Sequence, residues 1–153
     1  MMYEELVSDF ATRTRENLAV IRALQHQGQK VYEVTALMNS MLGLLVFPQQ
    51  SYVQAIPETP LSELQGQGWP LPRVRGRFRQ VRTLREMVRY LRNAVAHCNL
   101  KFTADSHGEI AGLIVWNTYQ RKKTWEAELT LEDLDGIADR FSRLLSDRRT
   151  WRV

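Results

Sequence analysis

Cysteine is nearly absent from this chain: Cys98 is the only one among 153 residues. A single thiol cannot close an intrachain disulfide, so a packed core has to hold the fold, and the expected compartment is the reducing cytosol. Long apolar runs are missing too. The most apolar stretch, Val34 to Phe47, has 14 residues interrupted by Asn39 and Ser40. That falls short of the roughly 20 needed to cross a bilayer, and no membrane span is expected. The N-terminal "MMYEELVSDF" carries acids where a secretory leader has basic residues, so none is expected. Neither His26 nor His107 has metal-ligand spacing to another His or Cys, and no glycine-rich phosphate loop follows a strand. No metal and no cofactor are expected. Apolar and charged fractions of 44% and 25% are those of a globular protein, and residues 1–153 are read as one domain.

Acidic charge is scarce in one place. Between Arg73 and Arg92 eight arginines meet a single acid, Glu86, so this segment carries +7 and the remainder −3. Local basic density of this kind is the footprint of a polyanion site, and the arginine fork suits phosphate. The competing reading is a solvated charged face in an arginine-rich chain, since Arg outnumbers Lys seventeen to four.

The apolar spacing of Tyr3, Leu6, Val7, Phe10, Leu18, Ile21 and Leu24 predicts an amphipathic helix ended near Gly28. A second helix is predicted from Val31 to Phe47, stopped by Pro48. It is apolar on nearly every side and so expected at the centre of a bundle, with Gly43 admitting a close neighbour. Residues 49–80 hold Pro57, Pro60, Pro70, Pro72, Gly66, Gly68 and Gly76 and read as a long connection ending in "RVRGRFR", a basic arm or a short strand. The third helix is predicted from Val81 to about Cys98. "GEIAGLIVWN" and "TWEAELT" then read as strands joined through "TYQRKK", giving a two- or three-stranded meander. Thr130 fits an N-cap, with Asp133 three residues on, for a last helix carrying Leu131, Leu134, Ile137, Phe141, Leu144 and Leu145. Its acids Glu132, Asp133 and Asp135 suit the positive end of the helix dipole. The expected fold class is mainly α, a bundle of about four main helices with a small antiparallel hairpin or meander before the last.

On a wheel of about 100° per residue, Val81, Leu84, Val88, Leu91 and Val95 of the third helix share one arc, the core stripe. Arg82, Arg85, Arg89 and Arg92 form the adjoining arc, and Asn93, Glu86 and His97 continue it. Arg92 and His97 stand about 7.5 Å apart along the axis and about 140° around it, so within one helix they border a site without touching. Asn93 and His97 do neighbour one another. A two-fold dimer packing this face on its own copy would bring two Arg-Asn-His sets into one cleft.

The stretch "LRNAVAH" resembles the signature of the HEPN superfamily, an Arg and a His separated by four residues near a helix end, with a polar residue directly after the Arg. "YEVTALMNSMLGLLVFP" and the following hairpin are similar to the small stand-alone plasmid-type members. This resemblance implies a helical bundle that dimerises through the motif helix. In active members it implies a metal-independent endoribonuclease built across the dimer, serving as a toxin or antiviral effector. Carried over, Arg92, Asn93 and His97 would be the catalytic residues, and an antitoxin or regulatory protein would be a further partner.

The chemistry follows from the residues as well. RNA cleavage without a metal needs a proton carrier, a role His97 can fill because imidazole exchanges protons readily near neutral pH, and a cation at the phosphate, which Arg92 supplies. Asn93 can position substrate or imidazole, and Arg82, Arg85 and Arg89 are the expected RNA-binding residues. The alternative for His97 is a helix-end histidine bonded to the last carbonyls. Cys98 falls on the apolar side of the wheel and is expected to be a buried structural thiol. Trp69, Trp116, Trp125 and Trp151 are expected to pack rather than stack on bases. Two other functions compete: a catalytically silent module binding RNA or protein, and a DNA-binding helical protein, for which no recognisable reading helix is seen.

Overall fold

The computed structural model describes residues 3–48 and 50–147; Gln49 and Trp151 lie outside this range. Helix α1, Tyr3–His26, ends where Gly28 takes a positive φ of 76°. Helix α2, Glu33–Val46, follows, and a Cβ built at Gly43 would stand 2.7 Å from the Phe10 ring, so glycine is what lets α1 approach here. Phe10 in turn stacks on Phe47 with centroids 4.7 Å apart. The inner face of α2 is buried through Leu37, Met38, Met41, Leu44 and Leu45, while Leu42, Val46 and Phe47 are exposed. The helix is therefore half covered rather than central.

Residues 50–80 are not a structureless connection. They hold two short helices, α3 (Gln50–Ala55) and α4 (Leu61–Gly66), and the two-residue strand β1, Arg73–Val74. The basic run is thus a short strand leading to a turn at Gly76 rather than a free arm. The motif helix, α5, spans Leu84–Ala96, and strands β2 (Leu100–Ala104), β3 (Ile110–Tyr119) and β4 (Lys122–Thr130) precede the last helix, α6 (Leu131–Ser146). In the hairpin between β3 and β4, Gln120 and Arg121 both take positive φ, the conformation of a type I′ turn.

The expectation of a mainly helical bundle is overturned. Among the described residues 54% are helical and 20% lie in strands, with six helices and a four-stranded antiparallel sheet, a mixed architecture. The sheet runs β1-β4-β3-β2. It outgrows the expected meander because Arg73 and Val74 pair with Glu128 and Ala127 of β4, and because β2 pairs along β3. Helices α5 and α6 pack against the sheet, α2 meets both, and α1 closes on α2 and α6. One core joins the layers, with Trp125 and Phe141 among its largest fully buried side chains.

The α6 start matches its sequence signal. Thr130 Oγ1 accepts from the Asp133 amide at 3.1 Å and Asp133 returns the bond to the Thr130 amide at 2.8 Å, a complete capping box. Among the described residues no helix is long and apolar enough to cross a membrane.

Candidate functional site

The motif helix begins later than its apolar stripe suggests. Thr83 is the N-cap and accepts from the Glu86 amide at 3.2 Å, so Val81 and Arg82 precede the helix. Glu86 was expected on the polar face beside Asn93 and His97. Instead it is buried, because its carboxylate accepts from Arg79 Nη2 at 2.6 Å and from the Arg82 backbone amide at 2.7 Å. A buried carboxylate with a cation and a backbone donor is satisfied in place, and Glu86 serves the helix start. The same ion pair, with Tyr90 Oη at 3.5 Å, holds the Arg79 pKa above its ordinary value, the Tyr90 hydrogen bond being the larger cause.

The arginines of the basic segment divide into two groups. Arg75 pairs with Glu126, Arg79 with Glu86, and Arg85 with Glu58 at 3.0 Å, Arg85 also donating to the Ile56 carbonyl at 2.7 Å. These three are engaged within the fold. Arg82 is exposed and reaches Glu86 only at 4.0 Å. Arg89 is exposed, lies over the Tyr90 ring at 5.5 Å, and has no carboxylate partner among the described residues. Of the three expected RNA-binding arginines, Arg82 and Arg89 face solvent and Arg85 is committed internally.

At its other end α5 closes with the Cys98 amide donating to the Val95 carbonyl at 3.0 Å and the Asn99 amide to the Ala94 carbonyl at 2.8 Å. This is the paired closure of a Schellman motif, and it requires Cys98 to take a positive φ of 55°. Cys98 is exposed, not the buried thiol that continuing the helical wheel implies, because the chain turns away from the helix at that residue. His97 is the C-cap. Its imidazole is exposed and has no hydrogen-bond partner among the described residues, so it is not tied to the last carbonyls.

His97 and Asn93 line an open cleft of about 420 Å³ together with Arg89 and Tyr90 of α5, Asn99, and Asn117, Thr118 and Thr124 of the hairpin. Among the described residues no carboxylate lines it. Arg92 is half-buried and is not among the residues lining this cleft; it sits about 100° around the helix from Asn93. The geometry therefore unites two of the three motif residues and leaves the third on the adjoining face. A second cleft, lined by Glu58, Arg82, Thr83, Arg85, Glu86 and Arg89, continues along the same side of α5.

A family model described as HEPN pEK499 p136 matches residues 1–150. The chain belongs to this HEPN family. No curated protein and no solved structure matches it. Membership covers nearly all of this HEPN protein, including residues 49–80, where the motif-based resemblance is weakest. At family level it points to nuclease or RNA-related function. Among the described residues, no group of three or more His, Cys, Asp or Glu is placed to hold a metal ion.

Sequence reasoning missed the hairpin side of the cleft. Its signal was the polar pair Asn117-Thr118 facing Thr124, where the strand alternation of "GEIAGLIVWN" breaks down. The tryptophans pack as expected where described: Trp125 is buried against Tyr90 edge to face at 5.1 Å, and Trp69 packs on the core. Trp116 is half-buried, with Lys123 over its ring.

Proposed function

We propose that this HEPN protein is a metal-independent endoribonuclease that works as a homodimer through α5, as a toxin or antiviral effector. The observation that carries the reading is the cleft in which Asn93 and an unengaged His97 lie together, with the exposed Arg89 on the same wall. His97 takes the proton of the substrate's 2′-hydroxyl, the 2′-oxygen attacks phosphorus, and the bond to the 5′-oxygen breaks as the imidazolium gives that proton to the leaving oxygen. The products are a 2′,3′-cyclic phosphate and a 5′-hydroxyl. Asn93 lies one turn before His97 and orients the imidazole or the ribose. Arginine stabilises the charge that grows on the phosphate, Arg89 from within the cleft. Arg92 on the adjoining face enters the site when a second copy packs across a two-fold axis.

The test is incubation of purified protein with mixed cellular RNA in the presence and absence of EDTA, alongside light scattering at micromolar concentration. Cleavage that persists in EDTA, leaves cyclic phosphate ends and fails on a deoxyribose substrate is the expected result, with a dimer in solution. Cleavage lost with the chelator and restored by Mg²⁺ overturns the mechanism, and a monomer removes the composite site.

A further inference from the structure

We propose that the hairpin side of the cleft is a nucleobase subsite that selects bases carrying an exocyclic amine, on the ribose whose 2′-hydroxyl attacks. The proposal rests on the ribonuclease reading above and deepens it. Four observations support it.

The first is the break in β-pairing. Asn117 pairs with Trp125 but Thr118 pairs with Lys123, so Thr124 is an extra residue on β4, a β-bulge. In an unbroken strand, residues 117 and 118 point to opposite faces. Here Asn117, Thr118 and Thr124 all line one cleft. Bulges of this kind re-aim side chains.

The second is the orientation of Asn117. Its Nδ2 donates to the Tyr90 backbone carbonyl at 3.3 Å. A carbonyl can only accept, so this contact fixes which end of the amide is nitrogen. Oδ1 has no partner among the described residues and is left as a fixed acceptor. The hydroxyls of Thr118 and Thr124 donate or accept as required and impose no choice of their own. Selection therefore falls to Asn117, whose oxygen calls for an N–H on the ligand.

The third is charge. The hairpin residues of the cleft are neutral, while the opposite wall carries Arg89 and His97. Lys123, next to Thr124 in sequence, lies over Trp116 and pairs with Glu126. A phosphate at the α5 wall and an uncharged polar base at the hairpin match this division. The fourth is size, since about 420 Å³ is within the range of small-ligand sites and suits one nucleotide. Adenine, cytosine and guanine offer an amine to Asn117 Oδ1. Uracil offers carbonyls there, and its one ring N–H lies between two carbonyl oxygens that repel the asparagine oxygen.

The experiment uses DNA oligonucleotides with one ribonucleotide, A, C, G or U, so the attacking ribose is known. Wild type is expected to cut the three amine-bearing bases about fivefold to tenfold faster than U, the range for one neutral hydrogen bond. Asn117→Leu should level the four rates. Thr124→Val removes a hydroxyl that imposes no choice, at an exposed position, and should leave the ratio of the four rates as it is in wild type. Equal cutting by wild type, or a ratio unchanged in Asn117→Leu, overturns the subsite. If wild type cuts none, the ribonuclease reading falls and the subsite is decided by binding. NMR titration with CMP and UMP should then shift the amides of residues 117, 118 and 124, with CMP at least fivefold tighter. Equal or absent shifts overturn it.

Discussion

Helices α1 and α5 close with the same pair of backbone bonds around a left-handed residue. In α1 the Gly28 amide donates to Gln25 and the Gln29 amide to Leu24, both at 3.0 Å; in α5 Cys98 and Asn99 repeat the pattern onto Val95 and Ala94. Each end carries an exposed histidine, His26 or His97. The difference lies in the residue at the turn. Glycine takes positive φ without penalty, whereas a side chain there costs about 1 kcal/mol. Strain of this sort gathers at sites where geometry serves something other than stability. At α5 the turn leads directly to Asn99 and holds His97 at the cleft.

The largest expected difference between the two ends is catalytic. His97→Ala should lower RNA cleavage by about 10²- to 10⁴-fold with RNA affinity nearly intact, the effect of losing one proton-transfer group. His26→Ala should leave the rate within twofold. Rates measured for both variants under single-turnover conditions make the comparison. If His97→Ala cuts like wild type, the two ends are chemically equivalent and the catalytic reading fails.

A smaller difference concerns the nearby cations. Arg22 of α1 is held by Glu33 at 3.3 Å and by Asp135, whereas Arg89 has no carboxylate among the described residues. Arg89→Ala should weaken RNA binding by several-fold and reduce the dependence of affinity on salt by about one unit of slope, as expected for one lost phosphate contact. Arg22→Ala should leave RNA affinity unchanged and lower stability by up to about 1 kcal/mol, the range for a partly exposed pair. Filter binding across a salt series and urea melts separate the two outcomes. A salt slope unchanged in Arg89→Ala would remove Arg89 from the RNA contact.

The smallest effect tests the turn itself. Cys98→Gly should stabilise the protein by about 1 kcal/mol, and Gly28→Ala should destabilise it by a similar amount, because the φ preference alone changes sign. Nothing lies within 4 Å of a Cβ built at Gly28, so sterics do not confuse that measurement. Denaturant midpoints give both values. A Cys98→Gly variant no more stable than wild type would show that the strain is compensated locally.

The sequence by itself determined what depends on near neighbours. The 3.6-residue period placed α1, α2, α5 and α6, the Thr130 and Asp133 pair set the start of α6, and alternation marked the β3–β4 hairpin, because each signal lies within a few residues of the structure it specifies. The Asn93 and His97 adjacency was readable for the same reason, being one helical turn. Tertiary structure decided what depends on distant partners. Arg73 pairs with Glu128 and turns a basic run into a sheet edge, the Arg79 ion pair draws Glu86 out of the polar face, and the hairpin bulge completes the cleft. A local period reports which face of an element is apolar; it carries no record of which far segment will cover that face or hydrogen-bond to that edge.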